Sequence, residues 1–290
     1  MSRALSPDQL FPAHSSDIVQ RFVDLPNGIR LRVAEAGPPD GDPVVLLHGW
    51  GACLYMYRHA LDALPRLGKR AIAVDLRGFG LSTRLRRRGA YSLDAYIGDL
   101  LALLDVLELA RPAMVGQSMG GGLTLRFALR EQARVSRIVL INPSSLVPIR
   151  FLPIVRAMPR PLVAALGGRI VPRWAVEFTL RRIAYGNPAL VSEQDVDEYW
   201  SPTQLPGYTA AARAALSDFD WRVVSEAEAK GLAVPTLVML GASDRLIANT
   251  ERAAKRLNGA RVCTLEGGHC VHEENPAQAY RVIGDFLDAR

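Results

Sequence analysis

Short apolar runs without polar alternation recur along the chain at Val44–Leu47, Ala71–Val74, Ala113–Val115, Ile138–Ile141, Thr236–Leu240 and Arg261–Thr264. Runs of this kind suit strands buried on both faces, and the stretches between them are long enough for crossover helices. The alternation predicts a mainly parallel sheet with helices on both sides. Ahead of it, RFVDLPNGIRLRVAEAG places Asn27-Gly28 between two β-type runs. Asn-Gly favours positive φ, so the chain is expected to open with antiparallel strands joined by a tight hairpin turn.

One crossover helix is explicit. Leu93, Tyr96, Ile97, Leu100, Leu101, Leu104 and Leu107 recur at helical spacing, with Asp94, Asp99, Asp105 and Glu108 off that stripe and Ser92 in the N-cap position. A second helix is expected over Gly120–Arg130, and a last one packing Tyr280, Val282, Ile283, Phe286 and Leu287 on the sheet. Between Ser145 and about Lys230 the rhythm breaks into proline-punctuated apolar and arginine-rich pieces, too long for a simple crossover. This predicts an inserted helical cap, residues 146–230, on an α/β core built from residues 1–145 and 231–290.

Composition narrows the class. The 290 residues are 49% hydrophobic and 22% charged, which excludes a disordered chain or a disulfide scaffold. The formal charge of +6 comes almost entirely from arginines spread among apolar residues. The one cluster, Arg84, Arg86, Arg87 and Arg88, is read as a solvated loop, so nucleic acid is not an expected partner. No apolar leader and no run of spanning length occur, which argues against membrane association and makes cytoplasm the expected location. Cys53, Cys263 and Cys270 cannot all pair with one another and are expected as reduced thiols.

The chemistry centres on Gly116-Gln117-Ser118-Met119-Gly120, a G-x-S-x-G between a strand and a helix. A nucleophile on so sharp a turn sits in strained backbone, and small residues two places either side let strand and helix approach. A serine hydroxyl needs a base, and of five histidines His269 follows Gly267-Gly268 in a loop after the last strand. His272 precedes acidic residues and is expected in a supporting or surface position, His59 at the surface and His14 in a terminal tail. Asp244 lies just past the Thr236–Leu240 strand, where it can hold the histidine tautomer, although it also suits a turn or helix N-cap. Asp75 reads as a structural turn contact. Cys263, His269, Cys270 and His272 are too close in sequence to converge on one ion, and no G-x-G-x-x-G or phosphate-binding loop occurs. Neither a metal nor a cofactor is expected.

On these residues the chain resembles the α/β-hydrolase fold superfamily, specifically its cap-bearing serine esterase-like members, over nearly its whole length. The matching segments are His48-Gly49-Trp50-Gly51, Asp75 to Ser82, Gly116 to Gly120, Gly241 to Asp244, and Gly268-His269 followed by Glu274-Asn275-Pro276. The resemblance implies Ser118 as nucleophile, His269 as base, Asp244 as acid, and the backbone N–H groups of Trp50 and Met119 as oxyanion hole. In that superfamily epoxide hydrolases and haloalkane dehalogenases carry aspartate at the elbow, where this chain has Ser118. Carbon–carbon bond hydrolases use serine but usually have asparagine before it, where this chain has Gln117.

The expected activity is hydrolysis of carboxylic esters of small to medium apolar acyl groups through a Ser-His-Asp acyl-enzyme. Thioester, lactone and carbon–carbon bond cleavage remain open, as do a non-turnover receptor on the same scaffold and an interfacial lipase. Apolar cap residues, among them Phe151, Trp174 and Phe178, are expected to line a pocket over Ser118.

Overall fold

A computed structural model describes residues 4–13, 15–149, 171–247 and 250–289. The strands are β1 (Val19–Asp24), β2 (Arg30–Ala36), β3 (Asp42–Leu47), β4 (Lys69–Val74), β5 (Ala113–Gln117), β6 (Ile138–Ile141), β7 (Thr236–Gly241) and β8 (Arg261–Leu265). They make one sheet in the order β1-β2-β4-β3-β5-β6-β7-β8. The pairs β1–β2 and β2–β4 are antiparallel, and all pairs from β4 through β8 are parallel. This is the mainly parallel sheet expected from the apolar runs, and the arrangement that the resemblance to the α/β-hydrolase fold implies.

Helices α1 (Arg58–Ala63), α2 (Leu93–Val106) and α3 (Met119–Arg130) fill the connections of the first half. Between β6 and β7 come α4 (Arg173–Thr179), α5 (Glu193–Trp200), α6 (Tyr208–Asp218) and α7 (Glu226–Gly231). The chain closes with α8 (Thr250–Ala254), α9 (Val271–Glu274) and α10 (Pro276–Asp288).

Successive strand residues feed two cores. Val45, Leu47, Ile72, Val74 and Met114 pack with Leu100, Leu103 and Leu104 of α2 and Leu123 and Phe127 of α3. Val44, Leu46, Ala71, Ala73 and Val115 pack with Leu61 of α1 and Tyr280, Ile283 and Phe286 of α10. Both faces are covered, which is why the strands lack polar alternation.

Two local expectations change in detail. The hairpin is present, but its connection spans residues 25–29 and Gly28 alone of the Asn-Gly pair takes positive φ (79°). Asn27 is engaged elsewhere, donating from Nδ2 to Asp99 Oδ1 at 2.8 Å. Ser92 caps α2, accepting from Ala95 N–H at 3.2 Å. Asp99, expected on the solvent side, is buried, because Arg77 Nε donates to its Oδ2 at 2.7 Å and a buried carboxylate needs such a partner.

β3 has β4 on one side and β5 on the other, so the chain reverses its progress across the sheet there. A crevice opens at the carboxyl ends of strands flanking such a reversal. The segment between β6 and β7 reaches the same edge. The Trp50 indole donates to Ala212 O at 2.8 Å, the Tyr208 hydroxyl donates to Gly51 O at 3.2 Å, and Cys270 N–H donates to Ala184 O at 3.2 Å. Arg58 ties α5 to the core, lying 2.9 Å from Asp195 and paired with Glu273, which also accepts from the Tyr199 hydroxyl at 2.8 Å. Among the described residues no helix is long and apolar enough to cross a membrane.

Candidate active site

Ser118 stands between β5 and α3 with φ 53° and ψ −114°, a left-handed backbone that is strained for a side chain with a Cβ. The flanking glycines permit it. A Cβ on Gly116 would lie 2.3 Å from Gly120 O, and one on Gly120 would lie 2.1 Å from Leu47 O. The register Leu47↔Gly116 brings the end of β3 alongside the elbow, and a Cβ on Gly49 would lie 3.2 Å from Ser118 Cβ.

That glycine begins the turn bearing Trp50, whose shape His48 holds. Buried His48 is linked through Nδ1 to Gly49 O at 2.7 Å and accepts from Leu76 N–H through Nε2 at 3.0 Å. These bonds require the Nδ1–H tautomer, and burial pushes its pKa down. Asp75 serves the same turn region structurally, accepting from Leu54 N–H at 2.7 Å and Leu81 N–H at 2.8 Å. Met119 is the first residue of α3, where backbone N–H groups have no intrahelical acceptor.

His269 Nδ1 lies 2.8 Å from Asp244 Oδ2, with both side chains buried. The other carboxylate oxygen of Asp244 accepts from Leu246 N–H at 2.7 Å and Ile247 N–H at 3.1 Å. The turn-forming and histidine-holding alternatives for this residue are therefore both realised, one on each oxygen. With Nδ1–H donated to a carboxylate, Nε2 is the nitrogen left for a proton acceptor's role.

The loops carrying these two residues are locked by Gln117 and Asn142. Gln117 Nε2 donates to His269 O at 3.0 Å. Buried Asn142, directly after β6, donates to Gly268 O at 3.1 Å and His269 O at 3.0 Å, and accepts from Gly241 N–H at 3.0 Å. A Cβ on Gly241 would lie 2.0 Å from Gly268 O, so the two loops meet backbone to backbone. The signal that could have found Asn142 is positional: it follows a parallel strand at the same sheet edge as Ser118, Asp244 and His269.

His272 is fully buried rather than at the surface. Neither ring nitrogen has a hydrogen-bond partner, its ring lies 5.5 Å from that of Tyr57, and burial pushes its pKa down to about 3. His59 is half-buried, and His14 lies outside the described residues. Trp174 and Phe178, expected to line a pocket, stand 69% and 55% exposed on α4, a helix with no buried residue. The side chains that turn inward after it are Leu180, Ala184 and Tyr185. Phe151 lies outside the described residues. Cys270 and His272 are buried in the core beside Glu273 and Tyr57, while His269 is committed to Asp244.

A family model described as alpha/beta hydrolase fold matches residues 42–276. Epoxide hydrolase A of Mycobacterium tuberculosis is 26% identical, over 92% of this chain and 97% of that protein. The 2-hydroxymuconate semialdehyde hydrolase of Pseudomonas sp. strain CF600 is 27% identical, over 95% of this chain and 96% of its own length. Among solved structures, a hydrolase from Pseudomonas aeruginosa PA01 superposes with a TM-score of 0.71 at 27% identity, covering 93% of this chain and 98% of that one.

Proposed function

Because the chain belongs to the alpha/beta hydrolase fold family and pairs His269 with Asp244 at 2.8 Å at the sheet edge that carries Ser118, we propose that this hydrolase cleaves carboxylic esters through a serine acyl-enzyme. The Asp244–His269 pair carries this reading, because a carboxylate on Nδ1 prepares Nε2 to take a serine proton.

In the mechanism, Ser118 Oγ attacks the ester carbonyl as His269 Nε2 takes its proton. The backbone N–H groups of Trp50 and Met119 hold the oxyanion, each such donor being worth about 3–4 kcal/mol in the transition state. The alcohol leaves with the proton from His269, and water activated by the same nitrogen releases the acid. Asp244 stabilises the imidazolium and keeps its proton on Nδ1. All steps are proton transfers and acyl exchange on these side chains. The segment of residues 146–230 acts as the cap, and its contacts with the loops after β3 and β8 support that placement.

Carbon–carbon bond hydrolysis is the second reading, favoured by the nearly full-length likeness to the semialdehyde hydrolase. Gln117, whose amide holds the His269 carbonyl, stands where carbon–carbon bond hydrolases usually have asparagine, which supports the ester reading. Epoxide opening, the activity for which another relative is named, is disfavoured by Ser118, because the covalent chemistry associated with that activity uses an elbow carboxylate.

The test is a rate panel over 4-nitrophenyl esters of increasing chain length, with a thioester, a lactone and a vinylogous diketone acid, on the wild type and Ser118→Ala. Ester turnover lost in Ser118→Ala, with a single organophosphate adduct on Ser118, supports the proposal. Turnover of the diketone acid with inert esters would replace it with the second reading, and binding without turnover of any substrate would make the protein a receptor.

A further inference from the structure

Glu274 closes α9, within the segment Glu274-Asn275-Pro276, and has no part in the acid–base chemistry above. Its carboxylate is shared between two parts of the molecule. Oε1 accepts from Gly268 N–H at 2.5 Å, the peptide directly before His269. Oε2 accepts from Gly186 N–H at 2.8 Å and Asn187 N–H at 2.9 Å, in the inserted segment after α4.

The backbones on either side of this carboxylate are in direct contact. A Cβ on Gly268 would lie 2.5 Å from Gly186 N and 2.7 Å from Ala184 O, and Cys270 N–H donates to Ala184 O at 3.2 Å. Without Glu274, three N–H groups at this contact would lose their acceptor, and the orientation of the Gly268 peptide sets how His269 enters its loop.

Taking His269 as the base for Ser118, we propose that Glu274 is a positioning residue that fixes the catalytic histidine to the cap, through the Gly268 peptide on one oxygen and the Gly186–Asn187 peptides on the other. The aim of the imidazole thus depends on one side chain that is itself anchored on the inserted segment. A glutamine cannot replace it. Whichever way its amide is turned, an NH2 group faces either Gly268 N–H or the Gly186–Asn187 pair, and two donors then oppose each other. Displacements of about 1 Å at a reacting group can lower rates on the order of a hundredfold.

The experiment compares wild type, Glu274→Gln, Glu274→Ala and His269→Ala on the ester preferred in the substrate panel. It records kcat, KM, melting temperature, and the rate at which a small fluorophosphonate modifies Ser118. That reagent requires an aimed base but little contact with the cap. The expected result is a kcat about tenfold to a hundredfold lower in both Glu274 variants, a parallel fall in phosphonylation rate, and KM within about threefold of wild type.

A purely structural role would lower the melting temperature with kcat per titrated site unchanged, and a role in the cap alone would raise KM with kcat and phosphonylation unchanged. Either result overturns the proposal while His269→Ala, being inactive, leaves the base assignment standing. An active His269→Ala would overturn both.

Discussion

Asn142 and His269 are 127 residues apart in sequence, yet the Asn142 amide donates to the His269 carbonyl at 3.0 Å. The same side chain accepts from Gly241 N–H at 3.0 Å at the head of the Asp244 turn. One buried amide therefore sets the spacing of the Asp244 and His269 loops. Asn142→Leu should remove the side-chain partner of Gly241 N–H and Gly268 O while Gln117 still serves His269 O, at about 1–3 kcal/mol for each buried group left unsatisfied, and should reduce esterase kcat at least tenfold. Asn142→Asp should be worse than Leu, since a carboxylate would face the two carbonyl oxygens it now donates to. Urea melts and steady-state kinetics on both variants test this, and an Asp variant with wild-type kcat would contradict it.

Arg58 is the cation between Asp195 of α5 and Glu273 of α9, two carboxylates with side chains only 6% and 0% exposed. Removing one partner of a buried ion cluster is more damaging than removing all of it. Arg58→Met should destabilise the protein by about 3–5 kcal/mol at pH 7, measured by urea unfolding. Burial already raises the Glu273 pKa, so the deficit should shrink as the pH is lowered and the abandoned carboxylates take up protons.

His272 has a pKa of about 3 in the folded protein against an ordinary 6.5, because its ring is buried and faces the Arg58, His59 and His269 side chains. A folded state that resists protonation is most stable above pH 6.5, and this contribution is lost as pH falls from 6.5 towards 3. His272→Leu orphans no partner, since neither nitrogen makes a hydrogen bond. It should flatten the acid limb of the stability profile and retain ester hydrolysis, measured by melting temperature from pH 4 to 8 and by kcat at pH 7.5. Loss of activity in this variant with an unchanged fold would count against His269 as the base.

Glu198 on α5 behaves in the opposite sense. Burial raises its pKa from an ordinary 4.5 to about 7, against the lowering effects of Phe11 N–H, Arg32 and Arg58, with Asp195 adding to the rise. The neutral acid is therefore favoured in the folded chain, and stability present below pH 4.5 is lost as pH rises to 7. Glu198→Gln should be more stable than wild type at pH 8 and close to it at pH 4.5. Its amide oxygen can still accept from Phe11 N–H, which now donates at 2.9 Å. A difference between the two proteins that does not change with pH would refute this assignment.

What the sequence by itself determined was everything that repeats locally. Apolar runs such as Val44–Leu47 and Ile138–Ile141 became strands because both of their faces are covered, and Ser92 capped α2 because capping involves only its own first turn. Gly116 and Gly120 disclosed the elbow for the same reason, since strand, turn and helix are consecutive. Asp99 shows where such reasoning stops: helical periodicity places it off the apolar stripe, and only the approach of Arg77 and Asn27 gives it a buried partner. Trp174 and Phe178 show the converse, an apolar pair at helical spacing that the fold leaves exposed. Only the tertiary structure decided that Asn142 links the Asp244 and His269 loops, that Glu274 joins the insertion to the Gly268 peptide, and that His272 is enclosed. Hydrogen-bond partners distant in sequence are chosen by how the strands are ordered across the sheet, and no spacing along the chain records that order.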